Sequence, residues 1–362
     1  MEEKERNKTW YRDMNLTNCN KKKMKTRKMN MKMAAIAFGA LLAFTGFTSC
    51  SNDVDEPTPE VENKLHEDPA KVELVLVDCH MHSKWKDIQD VGGPHQNPDT
   101  EAKHIKTVQK IIWQLNPTTK KWEFSKDGQE RFYVQKSDWY DGSPAPVYML
   151  FIHYYNAAGK EITDQFQSED QRKVHQMFFT AEDVETLKYG KAEADDNQTD
   201  KIFDYLYCDT DPWNKTTKEG ASIIGKDDPV GFKGIFRFLK SRKQFNLRIQ
   251  LYHGYKSKFF DGGKPRPYYD LSNRLLLNGV TDIDFKIPFV IYMDREDTSL
   301  FDDNIDNDTD LNTIAEDSLD DDSNRVVHYI MDAFDLSWKD ALQEFVDFIY
   351  NKKTHSEEGY WL

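Results

Sequence analysis

Phe245-Asn246-Leu247-Arg248-Ile249-Gln250-Leu251 alternates apolar and polar residues without a break. Successive side chains of an extended strand point to opposite faces, so this stretch predicts a strand with one face in a core and one in water. Ile283, Phe285, Ile287, Phe289, Ile291 and Met293 share one face of a second such strand, and Pro288, which has no N–H to give a ladder, points it toward a sheet edge. Upstream, Val72 to Val77, Val147 to Tyr155 and His175 to Phe179 read as buried strands. Asp127-Gly128, between Lys121–Ser125 and Arg131–Gln135, predicts a hairpin. Asn156 to Gly159 predicts a second hairpin loop, with Lys160 to Gln167 returning as a strand. Thr180-Ala181-Glu182-Asp183 offers a cap for a short helix to Leu187.

The fold class expected is therefore mainly β, with two β-sandwich-like halves and a short C-terminal helical element. Residues 71–190 form the first β domain and 229–300 the second, joined by a polar junction at 191–228. An Asp-dominated loop covers 301–323 and helices cover 324–362, with Ser337 capping the last one and Asp340 following three residues on. A faint match of Val75–Trp85 to Ile249–Phe259 raises the idea of an internal duplication.

The N-terminus carries an address. Lys21, Lys22, Lys23, Lys25, Arg27, Lys28 and Lys32 precede a fifteen-residue apolar run from Met33 to Phe47, then Thr48-Ser49-Cys50 and an acidic stretch from Asp53. The run is too short to span a bilayer with ease, and small residues before a cysteine suit a signal that is cut and lipidated at Cys50. Residues 1–49 are the signal region, with Met24 as an alternative start, and 50–70 are an acidic tether. The first 49 residues hold 11 Lys/Arg against 4 Asp/Glu, so their removal takes the chain from −14 to −21. That charge argues against nucleic acid as a partner. Cys79 and Cys208 alone remain beyond the anchor, which is no disulfide framework.

The residues with metal chemistry gather at the end of the first strand, Cys79-His80-Met81-His82. Strand alternation puts Asp78, His80 and His82 on one face, where two imidazoles at i and i+2 can start a zinc, copper or iron site. His175, at the start of another strand, is the expected third imidazole and Asp78 the supporting carboxylate. Two imidazoles could equally hold a haem iron. Asp306, Asp308, Asp310 and Asp317 follow the spacing of a calcium loop, but Leu311 stands where the turn needs Gly and Asp317 replaces the usual Glu, so a solvated acidic loop is the better reading. Trp85, Trp113, Trp122, Trp139, Trp213, Trp338 and Trp361 would be the stacking platforms of a glycan-binding or cell-surface interaction protein. No catalytic motif stands out, so an enzyme is not expected.

Cys50-Ser51-Asn52-Asp53 resembles the export signal of lipoproteins of the Bacteroides group, in which an acidic stretch after the cysteine sends the protein to the cell exterior. The body is similar to uncharacterised surface lipoproteins of that group. The match rests on Val77-Asp78-Cys79-His80-Met81-His82, on His175-Gln176-Met177-Phe178-Phe179, on Pro229 to Gly234 and on the Ser337-Trp338 helix. Met177 departs from it, since those relatives have a second histidine there. The resemblance implies a lipid anchor in the outer membrane, facing outward, and a binding role. The expected function is nutrient uptake: binding a transition metal or metallocofactor for an outer-membrane transporter.

Overall fold

The structure is a computed structural model that describes residues 66–81, 83–137, 146–189, 196–215, 220–259, 263–300 and 305–353, the side chains of 298–300 excepted. The expected signal, Cys50 and most of the expected tether lie outside these residues, as does His82.

The chain is mainly β, with helices at its C-terminal end. The principal strands are β1 (Lys71–His80), β2 (Val108–Leu115), β3 (Trp122–Phe124), β4 (Phe132–Lys136), β5 (Pro146–Tyr155), β6 (His175–Thr186), β7 (Phe203–Tyr207), β8 (Lys233–Phe238), β9 (Lys243–Gly254) and β10 (Gly279–Asp294). Two helices follow, α1 (Asp321–Phe334) and α2 (Trp338–Ile349). One sheet runs β3-β2-β1-β5-β8-β7, with a short His95–Gln96 strand beside the end of β1. The other runs β4-β10-β9-β6, antiparallel except for β4 against β10. Strands from the first and second β-rich stretches thus interleave in both sheets, and the polar 191–228 stretch supplies the edge strand β7. All the described residues fall in one compact unit, Pro59–Leu362.

Alternation accounts for the layering. Val72, Leu74 and Leu76 of β1 and Leu150, Ile152 and Tyr154 of β5 face Phe245, Leu247, Ile249 and Leu251 of β9 and Phe285, Ile287 and Phe289 of β10 in one core. The opposite residues of β9 meet water as ion pairs, Arg248 lying between Glu182 and Asp284. Farther along β10, Val290, Tyr292 and Met293 are covered instead by α1 and α2. Met293 leaves the expected face because the register slips between Ile291 and Met293. Asp320 and Ser337 accept backbone N–H bonds at the starts of α1 and α2, relieving groups a helix cannot satisfy internally.

Several local expectations give way to pairing. β3 folds back on β2, and β4 joins the other sheet beside β10, so Asp127-Gly128 does not link two partners. The Thr180–Thr186 segment stays in β6, because ladder bonds and ion pairs to β9 outweigh its cap. Its turn residues are absorbed in a bulge, with Asp183 at φ 54°. Residues 160–167 make a single bridge, Tyr155 to Glu161, and then a 3-10 turn at Thr163–Phe166 that buries Phe166. Pro288 marks a change of role within β10. Before it the strand is paired only with β9, and from Phe289 on it is also paired with β4.

Leu247 is fully buried and Arg248 beside it is not. Leu247→Ala is expected to lower unfolding stability by about 2–5 kcal/mol, and Arg248→Ala by about 1 kcal/mol or less. Denaturant titration of the two variants measures both.

Candidate metal centre

Strands β6 and β9 lie side by side so that His175 and His253 are direct cross-strand partners. Both continue the inward face of their strands, His253 two residues beyond Leu251 and His175 two before Met177. Their rings stand 4.2 Å apart, centroid to centroid. They form the last layer of the core, where the inward-facing apolar residues run out. On the other side of β9, Gly279 of β10 lies so close that a Cβ there would clash with the carbonyl oxygen of His253.

The third residue arrives through a β-bulge. Leu251 pairs with Ile283 and Tyr252 with Thr281, which leaves Asp282 without a partner in the ladder. Regular alternation would set Asp282 beside Asp284 on the wet face. The extra residue turns it inward toward the two imidazoles. The fourth residue, His66, comes from the segment that precedes β1. Gln165 clamps that segment: the Glu67 N–H donates to Gln165 Oε1 and Gln165 Nε2 donates to the Glu67 carbonyl, both at 2.8 Å. Phe166 packs against the rings of His66 and His175 and closes the side.

One oxygen, Asp282 Oδ2, is the meeting point. His253 Nδ1 lies 3.1 Å from it, His66 Nε2 3.3 Å and His175 Nε2 3.6 Å. One ligand atom from each of the four residues lies within 4.8 Å of all the others. Four nitrogen and oxygen ligands about 2 Å from a zinc ion occupy tetrahedron corners about 3.3 Å apart, so the separations suit a single ion.

Protonation sharpens this. The His175 Nδ1–H donates to the Gln171 carbonyl at 2.8 Å, which directs the Nε2 lone pair at the carboxylate. Burial lowers the pKa of His175, so its neutral form prevails. Burial would raise the pKa of Asp282, and it is held below the usual carboxylate range only by imidazoles that donate to it, as His253 Nδ1–H can and a neutral His175 already bonded to Gln171 cannot. An ionised carboxylate facing a neutral imidazole lone pair is repulsive. A cation between them removes the conflict. His175 Nε2 and both ring nitrogens of His66 are buried without a hydrogen-bond partner among the described residues, as is the Tyr154 hydroxyl. The charge of Asp282 raises the pKa of that phenol, though less than its burial does.

The structure gathers the sequence candidates differently. His175 is in the cluster, but Asp78 and His80 are not. Val72 of β1 pairs with Tyr154, which packs on Phe166 beside His175, whereas Asp78 pairs with Tyr148 and His80 with Pro146. Six residues of strand, about 20 Å, separate Val72 from Asp78. His80 accordingly bonds to Asn97 at 2.8 Å and stacks on His95. His82 lies outside the described residues. Met177 is core, fully buried one step inward from His175. Cys79 and Cys208 are buried free thiols in the apolar layer outside the first sheet. The calcium candidates do not converge. Asp306 bonds to Thr309 and Asp308, Asp310 caps the 3-10 turn at Leu311–Thr313, and Asp317 pairs with His328 at 2.6 Å. Apart from the centre, the described residues offer only one other group of potential ligands, at Glu316, Asp317 and His328, and both of its acids are exposed. Trp85, Trp213 and Trp338 are buried, Trp113 and Trp122 stack on each other, and Trp139 and Trp361 lie outside the described residues.

Comparison with protein-family models, with curated proteins and with solved structures finds no match to this chain.

The sign of the pH dependence follows from His175. Its folded pKa is lowered, so the unfolded chain takes up a proton first as pH falls. Its contribution is whole above the ordinary imidazole value of about 6.5 and is lost below it. With chelator present, stability should fall from pH 7 to pH 5, and more steeply in the parent than in His175→Gln. Thermal melts across that range give the slopes.

Proposed function

We propose that this chain is a cell-surface lipoprotein that binds one divalent transition metal ion, with zinc as the first choice, through His66, His175, His253 and Asp282. The observation that carries the reading is the convergence of three imidazole nitrogens on Asp282 Oδ2 at 3.1–3.6 Å. Imidazole and carboxylate suit zinc as borderline ligands, and softer copper sites favour the sulfur that is absent from this set of four. The close packing of the rings, 4.2–5.6 Å between centroids, favours a bare ion over a haem, which would need a slot between its two imidazoles. With four protein ligands the tetrahedron is full and keeps no position for a reacting water, which favours binding over catalysis.

The position of the ligands supports a cargo role. Three come from one sheet, and His66 comes from the segment leading in from Cys50. Withdrawal of His66 would open the site, as a carrier needs in order to pass its ion to an outer-membrane transporter. The basic region, apolar run and Cys50 support a lipid anchor in the outer membrane, facing the exterior. No helix among the described residues is long and apolar enough to cross a membrane.

Zinc-loaded, dialysed protein is expected to retain one equivalent by elemental analysis. His253→Ala and Asp282→Ala should each retain none, while His80→Ala should match the parent. Loss in His80→Ala with retention in Asp282→Ala would refute the assignment. At about a hundred times its Kd, zinc should add about 2.7 kcal/mol of unfolding stability to the parent. Cys50→Ala should shift the protein from the membrane fraction to the soluble fraction after cell breakage, and release of the parent as well would count against the anchor.

A further inference from the structure

The connection between β9 and β10, residues 255–278, leaves the rim where His66, His175 and His253 meet. The Tyr255 N–H donates to the Asn278 carbonyl at 2.9 Å, so Tyr255 and the residues just before Asn278 stand together at its tip. Those residues are Leu276 and Leu277, at the end of a helical turn spanning Asn273–Leu276. Leu275 of that turn is buried against Phe178 and Tyr252. Successive helical residues are about 100° apart, so with Leu275 turned in, the next two are turned out. Leu277 is 81% exposed, Tyr255 62% and Leu276 45%. Two cations share the loop. Lys256 follows Tyr255. Lys264 is drawn back toward the same rim because Gln176, beside His175, donates to the Arg266 carbonyl at 2.8 Å. Both lysines are exposed and have no ion-pair partner among the described residues.

Exposed leucines beside unpaired lysines are out of character for a chain of net charge −14. An anionic lipid surface repels such a body and attracts the one region where apolar and basic side chains coincide. The chain also supplies a direction. The His66 ring is 5.6 Å from that of His253, and Tyr255 is two residues beyond His253. His66 is sixteen residues from Cys50, at most about 55 Å of extended chain. A lipid at Cys50 therefore draws this rim toward the membrane, ahead of the Asp78 end. We propose that the 255–278 tip docks on the lipid surface, with Leu276, Leu277 and Tyr255 entering the headgroup region and Lys256 and Lys264 meeting lipid phosphates. The proposal takes its direction from the lipid-anchor reading and does not depend on the metal. A single acyl signal holds a protein to a bilayer weakly, and a basic, apolar patch is the kind of second contact that makes the hold stable.

The chain from Ser51 onward, which lacks the anchor and keeps the whole compact unit Pro59–Leu362, is sedimented with vesicles of equal parts phosphatidylethanolamine and phosphatidylglycerol. Saturable binding is expected, weaker at high salt and on phosphatidylcholine vesicles. Leu276→Ser combined with Leu277→Ser should weaken it at least tenfold. Lys256→Gln and Lys264→Gln should each weaken it about fivefold. All four side chains are exposed, so circular dichroism and thermal melts should match the parent. No vesicle binding by the parent, or equal binding by the parent and the leucine variant, would overturn the proposal. A parent dimer that the leucine variant abolishes, without vesicle binding, would overturn it in favour of a second copy of the chain. Because the anchor is missing from this chain, failure here leaves the Cys50 reading standing, and release of the lipidated parent from membranes leaves the vesicle result standing.

Discussion

A single carboxylate oxygen, Asp282 Oδ2, governs the closed end of the sandwich. Two sheets packed face to face leave an open rim where the apolar inner faces meet water. Here the rim is plugged by a carboxylate whose side chain is only 4% exposed and by two imidazoles whose side chains are nearly sealed, His66 and His175. Burying an ionised carboxylate without compensation costs several kcal/mol, more than apolar contact at one rim can offset. Neutral imidazoles supply few protons to offset it, since His175 gives its one N–H to Gln171. The divalent cation of the proposed function would neutralise the carboxylate and use the lone pairs that point inward. The packing of Phe166, the entry of the N-terminal segment and the close approach of Gly279 to His253 all assemble around that point.

Much of this was legible in the sequence, and the remainder was hidden for identifiable reasons. Alternation located β1, β5, β9 and β10, because a strand half in a core must repeat every two residues. It did not identify partners: β4 pairs across the molecule with β10, and no local signal records such a contact. His175 was legible as an imidazole opening an apolar strand. His253 was legible in principle, because it extends the series Phe245, Leu247, Ile249, Leu251 by one more inward step. Asp282 was not. Its spacing from Ile283 assigns it to the wet face, and only the bulge reverses that. His66 was hidden by composition, since the acidic, proline-containing stretch around it reads as tether. Asp78 and His80 lie on the face of β1 that alternation assigns but at the other end of the sandwich from His175, because alternation gives the face of a residue and says nothing of what meets it across the core.

The division of the ligands between a rigid sheet and a short segment has a consequence for exchange. His175 and His253 are direct cross-strand partners and Asp282 sits in the bulge of the next strand, so their spacing is fixed by the backbone. His66 is held by its neighbour Glu67, through the Gln165 clamp and an Asn156 Nδ2–H donated to the Glu67 carboxylate at 2.8 Å. Those bonds are exposed and individually worth about 1 kcal/mol. Their loss leaves a two-histidine, one-carboxylate set with an open position, the kind of site from which an ion can be exchanged. In the proposed function, the same residues would give a closed site when the segment is docked and an open one when it lifts. The balance between them would be set by the exposed polar contacts to Glu67, where a partner proposed to compete for the N-terminal segment could reach them without first reaching the ion.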